Sequence, residues 1–343
     1  MPVAFVTGAT GFLGRHLIEC LVEEGWEAVV LHRAGSEVDA LAALGVELRQ
    51  GDVTKGATLR NVVPEHADCV FHMAADTSTW KKHRKRQRRI NVVGTRNMVH
   101  AALDAGVKRF VHTSTVAVFG AQPGLIDESA RHLGETSWVG YVQTKAKAEL
   151  VVKTAVHRGL DAVICNPAHI LGPYDTTGWA QLFPRVDRGN LPGIPPGAGC
   201  FANAREVARA HIGAAERGKT GQNYILGGPY HSFAEVIGEI ARLLEKEPPA
   251  RVVPKAMLKF MGHLKQFGAI FTRKEPNLTP EAAYFVSHDE QFSSAKAEKQ
   301  LGYRQVPLAQ SLADCHTWLV EKGLIDAGSS ARTPDKTTPA PQG

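Results

Sequence analysis

Tyr141 and Lys145 stand four residues apart, a spacing that puts two side chains on one face of a helix. A phenol and an ammonium so placed can handle a proton. A free phenol has a pKa of about 10, too high for ready transfer at neutral pH, and a neighbouring ammonium stabilises the phenolate. Upstream, Thr113, Ser114 and Thr115 supply three hydroxyls in a row. On a strand, Ser114 points to the opposite face from Thr115. Taken alone, Tyr-x-x-x-Lys is also the pattern of an ordinary surface helix, so the pair gains meaning only beside a partner reagent.

The N-terminus implies that reagent. Thr7-Gly8-Ala9-Thr10-Gly11-Phe12-Leu13-Gly14 follows the apolar run Val3 to Thr7 and opens an amphipathic pattern through Leu13, Leu17, Ile18 and Leu21. Glycines let the backbone turn tightly against a pyrophosphate, and a helix N-terminus supplies free N–H groups and partial positive charge. Strand, turn and helix in that order form the context of a dinucleotide site. An Asp or Glu about 20 residues further on would bind the ribose 2′-hydroxyl and favour NAD. The stretch Leu31-His32-Arg33-Ala34-Gly35-Ser36 has no acid. Arg33 can pair with a 2′-phosphate, so NADP(H) is expected over NAD(H).

These groups need a scaffold. Ala28 to Leu31, Val46 to Arg49, Cys69 to His72, Phe110 to Thr113, Ala162 to Cys165 and Asn223 to Leu226 read as further strands. Helical patterns lie near 36–44, 89–105, 141–158, 206–217, 233–244 and 257–271. Short apolar strands alternating with helices predict a parallel sheet covered on both faces. After Pro173, the prolines 184, 192, 195 and 196 mark a loop-rich segment. The composition from about residue 327 onward is that of a disordered tail.

The chain has 343 residues, 43% of them hydrophobic, enough to bury a large core. Its +6 charge is local, because seven of the nine residues from Lys81 to Arg89 are Lys or Arg. The remainder is near neutral, which excludes a general nucleic-acid coat. The bland reading of the run is a solvated helix start whose Lys85, Arg86 and Arg88 are dispensable for folding. The others are capture of an anionic substrate group or docking to an anionic surface. Five widely spaced cysteines, no signal peptide and no apolar span of about 18 residues place the protein in the cytoplasm. No His/Cys spacing implies a metal. Gly213 to Thr220 matches the ATP-binding loop literally, but a helix precedes it and a strand follows, the reverse of what that loop needs. Met257, Phe260, Met261, Leu264, Phe267, Ile270 and Phe271 form one helical stripe, expected to pack on the C-terminal lobe, with a lid or membrane-touching helix as alternatives. Trp80, Trp138, Tyr174, Trp179 and Phe201 are expected near a pocket.

In order along the chain, these motifs resemble the extended short-chain dehydrogenase/reductases, the NAD-dependent epimerase/dehydratase family. The resemblance is strongest to the dihydroflavonol 4-reductase-like and 3β-hydroxysteroid dehydrogenase-like branch. Gly51-Asp52-Val53 looks like the family's adenine-contacting turn, and Phe71-His72-Met73-Ala74-Ala75 like the strand beside the cofactor. Asn91-Val92-Val93-Gly94-Thr95 is similar to its fourth-helix motif, and Thr113 to Gly120 to the segment carrying the assisting hydroxyl. Asn166-Pro167-Ala168-His169-Ile170 resembles the nicotinamide-side motif, and Leu301-Gly302-Tyr303 the closing segment. The resemblance implies catalytic roles for Thr115 (Ser114 the fallback), Tyr141 and Lys145. It implies cofactor contacts from Gly8, Thr10, Gly11, Phe12, Leu13, Gly14, Arg33, Asp52, Val53, Met73, Ala74, Ala75, Asn91, Thr113, Pro167 and Ile170, with Tyr141 and Lys145.

The expected fold is a Rossmann-type doubly wound α/β unit with a seven-stranded, mainly parallel sheet from 1–171 and 201–228. A smaller interleaved substrate lobe comes from 172–200 and 229–326, and a tail from 327–343. The expected reaction interconverts a carbonyl and a secondary alcohol. The alternatives are a nucleotide-sugar epimerase or dehydratase that retains NAD, and a non-catalytic NADP(H) sensor. Expected partners are a small carbonyl or alcohol and a second copy in a homodimer, with no nucleic acid and no transmembrane segment.

Overall fold

The computed structural model describes residues 1–272 and 274–326; the expected tail, 327–343, lies outside the described residues, as does the Ile270 side chain. The first half contains β1 (Val3–Thr7), α1 (Phe12–Glu23), β2 (Glu27–His32), α2 (Asp39–Ala42), β3 (Glu47–Gln50), β4 (Cys69–His72), α3 (Arg84–Arg88), α4 (Thr95–Asp104), β5 (Phe110–Thr113), β6 (Leu125–Ile126) and α5 (Gly140–Val156). Then come β7 (Ala162–Pro167), β8 (His169–Leu171), α6 (Leu182–Asp187), β9 (Ala198–Asn203), α7 (Ala204–Arg217), β10 (Asn223–Leu226), β11 (Tyr230–Ser232) and α8 (Phe233–Leu243). The chain continues with α9 (Lys255–Thr272), α10 (Pro280–Phe285), β12 (Gln291–Phe292), α11 (Ala295–Leu301) and α12 (Leu308–Glu321).

Seven strands form one parallel sheet in the order β10-β7-β5-β4-β1-β2-β3. The central strands are buried along almost their whole length, the signature of a parallel sheet covered by helices on both faces. Strand order reverses between β1 and β4, and a crevice opens there at the strands' C-terminal ends, where doubly wound sheets bind ligands. A second sheet, β11-β9-β8, and the β12-β6 pair build the far wall of the site.

Two expected elements differ. The helix expected at 36–44 is a single turn, Asp39–Ala42, in which only Leu41 is buried; little packing supports a longer one. The helix expected from residue 89 begins earlier. Lys81–His83 form a 3-10 turn, α3 follows, and Arg89–Gly94 is a π-helical segment leading into α4. Thr95 donates its hydroxyl to the Asn91 carbonyl at 2.7 Å within this wider turn, and π-segments are frequent near functional sites.

Candidate active site

The crevice at the strand-order reversal is a groove of about 740 Å³. At one end is the turn between β1 and α1. Gly8 has φ +82°, and a Cβ there would stand 2.7 Å from the Ala74 nitrogen. A Cβ on Gly14 would stand 2.2 Å from the Gly8 carbonyl oxygen. The turn therefore lies against the end of β4 with no space for side chains, and the N-terminus of α1 faces the groove. Thr7 fixes the same corner. Its hydroxyl lies 2.8 Å from His72 Nδ1 and accepts from the Ala74 N–H at 3.3 Å. His72 Nε2 meets the Thr95 hydroxyl at 3.0 Å. Burial lowers the His72 pKa to about 3, helped by Lys145, so this ring is a neutral structural link.

At the β2 end, Arg33 is exposed beside the groove and makes no salt bridge among the described residues. Among the described residues that line this end of the groove, the only carboxylate is Asp52, after β3. Asp52 is held below its usual pKa: burial acts upward, but hydrogen bonds from Thr54 and the charges of Lys55 and Arg33 outweigh it.

At the opposite end, Tyr141 and Lys145 lie on the first turns of α5 and face the groove together with Thr115. Burial pushes the Tyr141 phenol up to about 12, with the Thr115 side chain acting downward. Lys145 donates to the Thr113 carbonyl at 2.5 Å. Burial lowers its pKa to about 8, with Glu149 one turn on acting upward. The expected lowering of the phenol by Lys145 is therefore absent in this geometry: the ammonium is turned to the β5 backbone, and burial governs the tyrosine. Ser114 points the other way, with its hydroxyl toward Glu149, as strand alternation requires. Glu149 also accepts from Asn166 at 2.7 Å and Asn223 at 3.2 Å, and Asn166 donates to the Thr115 carbonyl at 3.0 Å. This buried amide–carboxylate cluster holds the backbone of Thr115 in place.

Of the residues expected to contact a cofactor, all but one line this groove. Asn91 does not. Its amide is spent on Asp76, accepting from the backbone N–H at 2.7 Å and donating to the carbonyl at 3.0 Å, and on Thr144 of α5 at 3.0 Å. It ties the loop after β4 to the helix carrying Tyr141. Arg86 lines the groove unexpectedly and pairs with buried Asp76 through Nε at 2.7 Å. Arg84 pairs with buried Glu281 at 2.8 Å. The basic run is thus partly built into the fold, and Arg86 is not the dispensable surface charge expected from sequence.

Beyond Tyr141 a second cavity, about 390 Å³, adjoins the groove. Its walls include Val116 and Ala117, Trp179, Tyr284 and Phe285 of α10, Val286 just after it and Phe292 of β12. His169 lines it as a neutral ring, burial lowering it to about 4, and His288 and Glu290 lie on the same lining. No Lys or Arg is among the described residues that line it. Of the five aromatics expected near a pocket, Trp179 lines it, and Trp138 meets Tyr284 edge-on with centroids 5.7 Å apart. Phe201 packs in the core, Trp80 against His83, and Tyr174 against Arg15 and Trp318. The α10 and β12 walls were missed because no motif marks them.

A sequence model of the NAD dependent epimerase/dehydratase family matches residues 4–227. The chain belongs to this family. Within it, the chain falls in the extended short-chain dehydrogenase/reductase group, in the branch of dihydroflavonol reductase-like and 3β-hydroxysteroid dehydrogenase-like enzymes. A Synechocystis sp. protein with a provisional dihydroflavonol 4-reductase name is 31% identical over 329 residues, 94% of this chain and 95% of that one. The 4-hydroxy-2-methyl-3-oxo-4-farnesyl-3,4-dihydroquinoline-1-oxide ketoreductase of Stigmatella aurantiaca is 30% identical over 309 residues, 87% of this chain and 91% of that one. The crystal structure of gox2253 superposes with a TM-score of 0.81 at 31% identity, covering 94% of this chain and 99% of that one. This family member is an oxidoreductase of the kind that uses NAD(P) at hydroxyl and carbonyl groups.

Proposed function

We propose that this family member is an NADP(H)-dependent reductase that interconverts an apolar ketone or aldehyde with its alcohol. The observation that carries this reading is the cavity beside Tyr141, which has no Lys or Arg among the described lining residues and is walled largely by aromatic and aliphatic side chains, with His169, His288 and Glu290 also on the lining. A nucleotide-sugar substrate brings a diphosphate, which is normally clamped by guanidinium or ammonium groups. The residues that would hold the dinucleotide are the Gly8–Gly14 turn at the pyrophosphate, Arg33 at the adenosine end, and Thr113, Lys145, Pro167 and Ile170 at the nicotinamide end. The chemistry that a nicotinamide would supply there is hydride donation to the carbonyl carbon. Tyr141 gives its proton to the carbonyl oxygen, Thr115 hydrogen-bonds that oxygen, and Lys145 orients the cofactor. The substrate lobe is assigned to 172–200 and 229–326 around the Rossmann unit, and the protein to the cytoplasm, a placement supported by five free, buried cysteines.

The test is a screen of apolar ketones and of nucleotide sugars in parallel. NADPH oxidation with the ketones is expected. Epimerisation of a nucleotide sugar with stoichiometric retained NAD would favour the epimerase reading. Binding of NADPH without turnover on any carbonyl would favour a sensor.

Two results are expected of the wild type. NADPH should bind at least about tenfold more tightly than NADH through a charge-assisted contact of about 1.5–3 kcal/mol, and Arg33→Ala should erase most of that preference. Equal affinities in the wild type would rule out a role for Arg33 at the phosphate. The second result concerns pH. With a pKa of about 8, Lys145 keeps its charge below that pH and loses it above. The kcat/KM for reduction, which reports the free enzyme, should therefore fall as pH rises through about 8. Lys145→Arg should remove that inflection. A flat profile to pH 10 would place the ammonium outside the reaction.

A further inference from the structure

Helix α9 has two apolar faces. Leu258 and Ala269 are buried, and a Cβ on Gly262 would stand 2.9 Å from the Thr279 and Pro280 backbone, so α9 packs closely on α10 along this side. The other side points to solvent. Met257, Phe260, Leu264, Phe267 and Phe271 are 54%, 68%, 60%, 62% and 76% exposed. At 100° per residue these five fall within an arc of about 80°, on a stripe about 21 Å long. The expectation that this stripe packs on the lobe therefore fails: a thinner face does the packing, and the large side chains face outward. Contiguous exposed apolar surface of this size marks an interaction site.

The charges around the stripe select its partner. From Arg251 through Lys274 the sequence contains no carboxylate, and Lys255, Lys259 and Lys274 are exposed. The chain beyond α9 is seated on the basic run. Glu275 accepts from the Ser78 hydroxyl at 2.6 Å and lies 3.5 Å from His83, and Thr279 bonds Thr79 at 2.9 Å. Lys81 and Lys82, next in the chain to this seating, are exposed. No helix among the described residues is long and apolar enough to cross a membrane. An apolar stripe on a helix whose only charged side chains are basic suits a helix lying in the plane of an anionic bilayer.

We propose that α9 docks this protein flat on an anionic membrane surface, with its five exposed side chains at the acyl boundary and the neighbouring lysines at the headgroups. Docking also sets what the cavity can receive. Leu258 packs with Ala283 of α10 and with Val286 just after it, while Tyr284, Phe285 and Val286 form the cavity wall. One short helix separates the bilayer from the cavity, so the substrate class is a lipid-soluble carbonyl or alcohol. That last clause rests on the reductase reading; the docking does not.

The test is co-sedimentation of the full chain with vesicles of phosphatidylcholine, alone or with added phosphatidylglycerol. Sedimentation with the anionic vesicles is expected, weakening as salt rises from about 0.1 M to about 1 M and the Debye length falls from roughly 10 to 3 Å. Phe260→Ser with Phe267→Ser should lower partitioning at least about tenfold. The double variant should keep its circular dichroism and its turnover of a water-soluble ketone. A wild type that sediments with neither vesicle, or a double variant that sediments as well as the wild type, overturns the proposal. So does a wild-type dimer that the double variant dissolves while neither binds vesicles, which would assign the stripe to a second copy. Vesicle binding by a chain inactive on every carbonyl would leave docking standing and remove the reductase reading alone.

Discussion

Tyr141→Phe is expected to leave dinucleotide affinity nearly unchanged and to lower carbonyl-reducing turnover by at least about 100-fold, the usual scale for losing a positioned proton donor. The ring would remain, still edge-on against Phe285 with centroids 6.3 Å apart, so packing is conserved and only the hydroxyl is lost. The phenol is pushed up to about 12 by burial, so it holds its proton across the neutral range, as the proposed acid for reduction must. Single-turnover kinetics with NADPH, alongside cofactor titration, separate chemistry from binding. Retention of most of the activity would mean that another group, or water, protonates the oxygen.

Gly14→Ala should do its damage at the other end of the groove. Its Cβ would stand 2.2 Å from the Gly8 oxygen and 2.7 Å from the Ala9 Cα. Both are backbone atoms, so the turn itself must move. Gly8 is already wedged against Met73 and Ala74 at φ +82°, which leaves the turn no direction in which to retreat. A dinucleotide affinity lower by about 100-fold, or about 2.7 kcal/mol, is expected by calorimetric titration. Gly238→Ala is the control. It lies in α8 with nothing within 4 Å of its Cβ position, and should be neutral or slightly stabilising, as Gly to Ala is in a helix. Unchanged affinity in the Gly14 variant would remove the pyrophosphate from this turn.

The central sheet was legible because each strand is a compact apolar run with turn residues on both sides. Cys69–His72, Phe110–Thr113 and Asn223–Leu226 begin and end where the sequence places them. The groove was legible for a related reason: its residues come in short contiguous motifs at strand ends. The cavity wall was not. Tyr284 and Phe285 reach Tyr141 across more than a hundred residues, and only tertiary packing brings them there. Asn91 was misplaced because a motif reports that a residue matters without saying what its side chain touches; here the amide holds the backbone of Asp76. Arg86 was hidden among like charges, and nothing local distinguishes the one that meets a buried carboxylate. Helix α9 defeated periodicity because it is apolar on both sides, and a helical period cannot say which side faces the protein.

The ties between residues 78–84 and 275–281, from Ser78 to Glu275, Thr79 to Thr279 and Arg84 to Glu281, also set an order in time. A ribosome delivers the chain from its N-terminus, and domains assemble as their residues emerge. The glycine turn, β4, β5 and the Tyr141–Lys145 helix are all out before the segment that walls the cavity. Roughly a hundred residues of synthesis separate them, about 5–20 s at 5–20 residues per second. The nascent protein thus has the parts of its dinucleotide groove well before it has a cavity for anything else, and the late arrival of α10 completes the side of the site that faces α9.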